Sequence, residues 1–238
     1  MEISIFKNPE TTAKAFADHL CKKQHDVNRL NIGLSGGSTP KLLFEILVQK
    51  YSDKIDWSKL HFYWGDERCV PPTSGESTYG MTHEYLFQHL EIPEENIHRV
   101  LGENNPDKEA IRYSRLITEN LPSINGLPQF DLIMLGLGED GHTASIFPHQ
   151  MELLTSKQIC SVAEHPTSGQ KRITLTGSVI NNAKEVCFLV VGEAKAEKVN
   201  EIINITGHCE LYPASYIKPT HGELIRFLDK AAAGKLQL

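Results

Sequence analysis

The stretch RLNIGLSGGSTP, residues 29–40, decides the fold class, because it joins a buried strand to a helix through a glycine turn. Residues 29–35 form a short, largely apolar run, as expected of a strand that is covered on both faces. Gly36 and Gly37 follow directly, and Thr39 with Pro40 begins a helix whose apolar residues recur at helical spacing. A strand, a tight turn and a helix in this order are typical of a βαβ unit.

The same alternation extends along the chain in both directions. Helices are predicted over residues 9–24 (with Asn8 as the cap and Pro9 in the first position), 79–90, 106–120, 193–203 and 221–233. Strands are predicted over residues 60–64, 130–135, 159–163, 172–176 and 185–191. This pattern predicts an α/β fold, a mostly parallel, Rossmann-like sheet with helices on both faces. Residues 123–129 are the longest stretch without element signals, which is too short for an obvious interdomain linker. We therefore expect a single domain over residues 1–238, and the sequence leaves open whether its second half includes a small lobe.

Composition narrows the class of protein. The 238 residues have a formal charge of −6, 40% are apolar and 23% are charged, as in ordinary globular proteins. The acidic balance argues against nucleic-acid binding, and no apolar run reaches the length of a membrane span. The five cysteines show no C-x-x-C spacing, and the N-terminus does not resemble a signal peptide. We therefore expect a cytoplasmic protein with reduced thiols, a monomer or weak homo-oligomer, with no nucleic-acid or membrane partner.

A glycine loop follows the strand at residues 29–35. In a parallel sheet, ligands bind beyond the carboxyl ends of the strands. Gly36 and Gly37 allow a close approach to the backbone, while Ser38 and Thr39 add hydroxyl donors at a helix start. The segment is either a phosphate cradle or a tight turn that Thr39 caps, and the segment alone favours neither.

Two further strands end in polar segments. Asp66, Glu67 and Arg68 follow the strand at residues 60–64. The two acids and the arginine form either a substrate clamp, with Arg68 binding an anion, or a local ion pair on a solvated loop. The strand at residues 130–135 runs into a segment that contains Gly138, Asp140 and His142. A carboxylate near an imidazole orients it for general base catalysis, whereas the structural alternative is a histidine that caps a helix. The density of this segment favours the catalytic interpretation.

Two later cations complete the candidate site. Arg172 heads a predicted strand and Lys195 follows one, so either is able to neutralise a phosphate, although each alone is more often a surface charge. No H-E-x-x-H motif or cysteine pair indicates a metal site. No G-x-S-x-G motif indicates a serine nucleophile.

Taken in order, these segments resemble the 6-phosphogluconolactonase family over nearly the whole chain. The most specific run is DGHTASIFP at residues 140–148. Residues 165–171 depart from the family, because they lack the proline-rich sequence that many members carry before the matching arginine. The other matching segments are residues 35–40, 66–71, 76–80, 136–139, 172–176, 192–196, 212–215 and 228–233.

The resemblance implies hydrolysis of 6-phospho-D-glucono-1,5-lactone, a small phosphorylated lactone, without a metal or organic cofactor. It implies His142 as general base and Asp140 as the group that orients it. The implied substrate-binding residues are Gly36, Gly37, Ser38, Thr39, Asp66, Arg68, Gly138, Arg172 and Lys195. Two alternatives stay open: a related glucosamine-6-phosphate deaminase/isomerase, and a non-catalytic sugar-phosphate sensor. The sequence of residues 143–148 favours the lactonase over the deaminase.

Overall fold

The computed structural model describes residues 2–25 and 27–236. Within them, the helices are α1 (Pro9–Lys23), α2 (Ser38–Tyr51), α3 (Thr78–Tyr85), α4 (Pro106–Asn120), α5 (Gly177–Ile180) and α6 (Ala196–Asn204). The strands are β1 (Glu2–Phe6), β2 (Leu30–Leu34), β3 (Leu60–Trp64), β4 (Asp66–Arg68), β5 (Ser123–Ile124), β6 (Leu127–Pro128), β7 (Leu132–Leu135), β8 (Cys160–Glu164), β9 (Lys171–Leu175), β10 (Glu185–Val190) and β11 (Glu223–Asp229). The single domain expected over residues 1–238 stays a prediction, and Met1 and Leu238 lie outside the described residues.

The main sheet has six strands in the order β1-β11-β10-β7-β2-β3, and every neighbouring pair is parallel. The chain passes from β2 to β3 on one side and then returns to place β7 on the other side of β2. The strand order therefore reverses between β2 and β7. In open parallel sheets, ligands bind in the crevice beyond this reversal.

Helices cover both faces of the sheet, as predicted. Phe16 of α1 packs edge-on against Phe227 of β11, with ring centroids 5.4 Å apart. On the other face, Val199 of α6 and Leu228 of β11 line one small cavity. Because successive side chains of a strand point to opposite faces, these contacts place α1 and α6 on opposite sides of β11. The mostly parallel α/β fold with helices on both faces is confirmed.

The start of α1 also follows the sequence. The side chain of Asn8 accepts a hydrogen bond from the backbone N–H of Thr11 at 2.9 Å, and Pro9 occupies the first helical position. Buried aromatic rings, among them Trp64, Tyr63 and Phe130, fill the core around the sheet.

A second, antiparallel sheet of three strands, β4-β9-β8, stands beside the first. Two of its strands come from the predicted strands at residues 159–163 and 172–176. Its third strand, β4, comes from the first half of the chain and carries Asp66 and Arg68. The small lobe considered for the second half is therefore completed by a first-half segment that continues directly from β3.

Some elements differ between the prediction and the structure. The segment predicted as a helix at 221–233 contains strand β11, Glu223–Asp229, which pairs with β10 and β1. Strand β1, Glu2–Phe6, was not predicted. The helix predicted over residues 79–90 is α-helical only over Thr78–Tyr85 and continues as a separate 3₁₀ turn at Phe87–His89. Among the residues that the structure describes, no helix is long and apolar enough to cross a membrane.

Candidate active site

A cleft of about 590 Å³ opens beyond the carboxyl ends of β7, β2 and β3. Most of the residues proposed from the sequence line it, namely Gly36, Asp66, Arg68, Gly138, Asp140, His142, Arg172 and Lys195. Its location at the reversal of strand order explains why segments distant in the chain meet here.

His142 and Asp140 form a hydrogen-bonded pair in this cleft. Nδ1 of His142 lies 2.6 Å from Oδ1 of Asp140, which also accepts the backbone N–H of His142 at 3.1 Å. Burial raises the pKa of Asp140, but the hydrogen bonds and charge of His142 outweigh burial and lower it to about 2. An ionised carboxylate can only accept, so Nδ1 of His142 is the donor in this pair, and in the neutral form of the ring Nε2 has the lone pair that takes a proton.

Glycines hold the loop of this pair in a tight conformation. The N–H of Gly138 donates to the carbonyl of His142 at 2.8 Å, and the N–H of Gly141 donates to the carbonyl of Gly138 at 3.1 Å. Gly141 has φ +85° and lies against the ring of Tyr212, where a Cβ would come 2.5 Å from the ring. The hydroxyl of Thr143 donates to the carbonyl of Gly136 at 2.9 Å and fixes the far end of the loop. These contacts fix the loop that carries the imidazole.

Two guanidinium groups, Arg68 and Arg172, line one wall of the cleft. They come from paired residues of β4 and β9. Within the described residues, the Nε atom of each is buried without a hydrogen-bond partner. Burial and the charge of Arg68 lower the pKa of Arg172. Two like charges beside each other, with unused donors, are suited to binding an anion.

Asp66 and Ser145 form the base of this wall. The hydroxyl of Ser145 donates to Oδ2 of Asp66 at 2.6 Å, and Nη1 of Arg172 donates to the same hydroxyl at 3.4 Å. Nη1 of Arg172 lies 3.9 Å from Oδ2 of Asp66. Asp66 therefore holds Ser145, whose hydroxyl accepts from Arg172, and it also lies near Arg172 itself. Ser145 was not among the predicted site residues, because its partner Asp66 lies far from it in sequence.

The buried carboxylate of Glu67 is a second positioning group, although Glu67 was not among the predicted substrate-binding residues. Its two oxygens accept the backbone N–H groups of Arg68, Thr78 and Tyr79, at 2.7, 2.8 and 2.7 Å. The hydroxyl of Ser77 adds a fourth hydrogen bond at 3.1 Å. Glu67 thereby joins β4 to the N-terminus of α3, where Thr78 lines the cleft.

The glycine loop forms an adjoining cavity of about 180 Å³. Gly37, Ser38 and Thr39 line this cavity rather than the main cleft, together with Gly36 and Lys195, which line both. Gly37 has φ +108° at the start of α2, a conformation that favours glycine. Lys195 follows the end of β10, and its Nζ lies 3.7 Å from Oε1 of Glu139. The structure thus divides the predicted cations, with Lys195 beside the glycine loop and the two arginines on the other wall.

The loop of residues 165–171, which departs from the proline-rich family sequence and has Pro166 as its one proline, folds back on itself. The N–H of His165 donates to the carbonyl of Gln170 at 3.0 Å, and Nδ1 of His165 accepts the N–H groups of Thr167 and Ser168. His165 lines the cleft and packs edge-on against Phe147, which also contacts His142. Burial and the positive charges of Arg172 and His142 lower the pKa of His165. No sequence pattern indicated His165, because nothing placed it near residues 140–148.

One group of potential metal ligands occurs among the described residues, but it lies outside the cleft. His19, Glu185 and Cys187 have ligand atoms within 4.8 Å of one another. Glu185 begins β10, at the end of the sheet opposite the cleft, and Nζ of Lys23 lies 2.9 Å from its second oxygen. Burial raises the pKa of the Cys187 thiol well above its ordinary value, which opposes the thiolate that a metal would need. An ion pair therefore accounts for this group.

Comparisons with known proteins agree with the geometry. Residues 7–226 match the family model described as glucosamine-6-phosphate isomerases/6-phosphogluconolactonase. The chain is 45% identical over 226 residues to the 6-phosphogluconolactonase of Haemophilus influenzae, covering 93% of this chain and 95% of that protein.

Solved structures give the same result. The 6-phosphogluconolactonase of Trypanosoma brucei superposes with a TM-score of 0.89 and 29% identity, over 99% of this chain and 98% of that one. A monomeric glucosamine-6-phosphate deaminase superposes with a TM-score of 0.83, over 98% of this chain and 99% of that one, but at 19% identity it shows the fold alone. Since the family model spans most of the sequence and a curated relative is similar over nearly its full length, the chain belongs to the glucosamine-6-phosphate isomerase/6-phosphogluconolactonase family.

Proposed function

We propose that the chain is a 6-phosphogluconolactonase, which hydrolyses 6-phospho-D-glucono-1,5-lactone to 6-phospho-D-gluconate. One observation carries this proposal: the His142–Asp140 pair faces a cleft that three cations also line. A neutral imidazole supplies the base that activates water for attack on the lactone ester, and the three cations match the negative charge of the substrate's phosphate. The names of the relatives support the same activity.

In the proposed mechanism, Nε2 of His142 removes a proton from a water molecule as its oxygen attacks the lactone carbonyl carbon. The carbonyl becomes a tetrahedral oxyanion, and Asp140 stabilises the imidazolium that forms. When the bond from this carbon to the ring oxygen breaks, His142 returns its proton to that oxygen. One water is consumed, one ester bond is broken, and the base is regenerated.

The cations would bind the negative charges of the substrate and of the transition state. We propose that the loop Gly36, Gly37, Ser38 and Thr39 binds the 6-phosphate together with Lys195, Arg68 and Arg172. Gly138 and Asp66 contribute by shaping the loop of His142 and by holding Arg172. Oriented donors near the developing oxyanion usually contribute most to the rate.

Separate substitutions of Arg68, Arg172 and Lys195 by Met test phosphate binding. Each should raise the KM for the phosphorylated lactone by roughly tenfold or more, the effect of losing one charged hydrogen bond. The same variants should change the hydrolysis of unphosphorylated glucono-1,5-lactone little. Lys50→Met, at an exposed site in the last turn of α2, is the matched control. Equal losses on both substrates would show that these cations do not select for phosphate.

Two further measurements separate the alternative functions. Release of ammonia from glucosamine 6-phosphate would identify a deaminase, and binding of 6-phosphogluconate without turnover of the lactone would identify a sensor. We further propose that the enzyme acts in the cytoplasm, as a monomer or weak homo-oligomer, and needs no metal or organic cofactor.

A further inference from the structure

A second cavity lies away from the cleft, between α6, the segment at residues 209–219 and β11. It has a volume of about 470 Å³, within the range typical of sites for small organic ligands. Its walls are largely apolar, formed by Ile202, Ile203, Ile205, Tyr216 and Leu224. Two of these side chains are unusually exposed for their type, Ile205 at 76% and Tyr216 at 44%. The cavity is therefore an open apolar site in an otherwise acidic protein.

Arg226 lies at the base of this cavity. It is a residue of β11, only 8% exposed, and it also lines a small apolar pocket beneath the cavity. Its guanidinium lies over the ring of Phe188, with Cζ 5.8 Å from the ring centroid. Among the described residues it makes no hydrogen bond or ion pair, and its Nη1 atom is buried without a partner.

A buried cation without a counterion is costly, so native proteins nearly always pair one. Burial lowers the pKa of Arg226 to about 10, and no carboxylate offsets this effect. Near neutral pH the group therefore still carries its charge. Glu210, the acid that lines the same cavity, lies 3.7 Å from Nδ1 of His208 instead. The hydroxyl of Ser215, which also lines the cavity, is likewise buried without a partner.

We propose that this cavity binds a small organic monocarboxylate whose body is apolar, with the carboxylate on the guanidinium of Arg226. The planar fork of an arginine matches both oxygens of a carboxylate, and Ser215 offers one further donor. The isoleucine walls fit a hydrocarbon body and offer few partners for sugar hydroxyls. Lys218 also lines this cavity but is exposed, so Arg226 is its one buried cation among the described residues. One buried cation matches one carboxylate, whereas three cations line the cleft of His142.

Calorimetric titration with hexanoate and benzoate tests the proposal, with hexan-1-ol and inorganic phosphate as comparison ligands. We expect saturable, one-site binding of at least one carboxylate to the wild type and to His142→Ala. Hexan-1-ol should bind roughly tenfold or more weakly, the effect of losing a charged hydrogen bond, and phosphate should not compete.

Two variants locate the site. Arg226→Met removes the charge at similar length and should weaken carboxylate binding by roughly tenfold or more. Ile203→Trp fills the cavity while keeping Arg226, and it should weaken binding as well, so the test does not depend on one variant folding. Thermal unfolding verifies that each variant is folded. Absence of binding of both carboxylates to the wild type, or unchanged binding by the folded variants, would overturn the proposal.

Discussion

Gly138 allows the His142–Asp140 pair to form, because any side chain at this position would enter the space that the pair occupies. A Cβ there would lie 2.7 Å from Oδ1 of Asp140 and closer still to Nδ1 of His142. Such contacts are shorter than real Cβ atoms show, so a side chain at residue 138 must displace the imidazole. The glycine therefore has a steric function that is distinct from backbone flexibility.

Substitution Gly138→Ala should lower kcat for lactone hydrolysis by roughly 10²-fold, the effect of a displacement of about 1 Å in a catalytic group. The overall fold should remain, since the substitution affects one loop. Gly75→Ala, where an added Cβ meets no atom within 4 Å, is the matched control. Steady-state kinetics with circular dichroism measure both quantities, and unchanged kcat in Gly138→Ala would contradict the assigned function of this glycine.

At the residue scale, sequence predicted the groups that carry charge in the cleft but not those that hold them. Asp140 and His142 are two residues apart, and their contact follows from local spacing. Ser145 and Asp66 contact each other across 79 positions, and His165 reaches the cleft only because β8 and β9 form a hairpin. Contacts of this kind depend on strand pairing, which local patterns do not specify.

At the element scale, helix α3 depends on the buried carboxylate of Glu67. That carboxylate accepts two backbone N–H groups of the first turn, those of Thr78 and Tyr79. A negative charge at this position also interacts favourably with the positive end of the helix dipole. Glu67 thereby fixes the position of Thr78 against Gly36, where an added Cβ would meet the Thr78 hydroxyl oxygen at 2.8 Å.

Substitution Glu67→Gln should lower the free energy of unfolding by about 1–3 kcal/mol. The amide NH₂ would replace one of the two accepting oxygens, and it would leave backbone N–H groups without an acceptor. It should also lower lactonase activity, because Arg68 and Thr78 line the cleft. Glu84→Gln, an exposed position on the same helix, is the control. Denaturant unfolding measures the difference, and equal stability of the two variants would contradict this account of α3.

Strand β11 shows why element type was predicted wrongly in one place. Residues 223–229 read ELIRFLD, and the alanines at 231–233 extend a pattern that fits helical spacing. In the structure, this strand pairs on both sides, with β1 and β10, and is covered on both faces. Such strands are nearly continuous apolar runs without alternation, so local spacing does not separate them from a buried helix. Strands β2, β3, β7 and β10 were predicted because glycines or polar turns bound them.

At the scale of the whole molecule, the net charge of the chain does not indicate the charge of the groups that line its cleft. The chain has a formal charge of −6, yet Arg68, Arg172 and Lys195 meet in one cleft. The topology brings them together, since each lies just past a main-sheet strand or on the small antiparallel sheet beside it. Global composition therefore did not predict the charge of the site.

Two partly buried histidines predict how the stability of the whole molecule depends on pH. Nδ1 of His61 lies 3.2 Å from Nε2 of His98, and the ring of His98 stacks on Tyr63. Burial, with the positive charge of Arg29, lowers the pKa of both imidazoles from 6.5 to about 4. Below pH 6.5 the unfolded chain therefore binds protons that the folded protein does not bind until about pH 4. The free energy of unfolding should fall as the pH is lowered through this window.

Substitution His98→Phe keeps the stacking on Tyr63 but removes one of the two titrating groups. The loss of stability between pH 6.5 and 4 should be smaller in this variant than in the wild type. Urea unfolding at a series of pH values measures it, with the exposed His221→Phe as control. Identical pH profiles for His98→Phe and wild type would show that His98 does not contribute.

In the proposed mechanism, His142, held by Asp140, is the base that activates water for lactone hydrolysis. The most direct measurement compares kcat of wild type, His142→Ala and the exposed control His221→Ala on 6-phosphogluconolactone, corrected for spontaneous hydrolysis. We expect kcat of His142→Ala to be lower by roughly 10²–10⁴-fold, the usual contribution of a general base, and kcat of the control to be near that of the wild type. Near-normal turnover by a folded His142→Ala would contradict this mechanism.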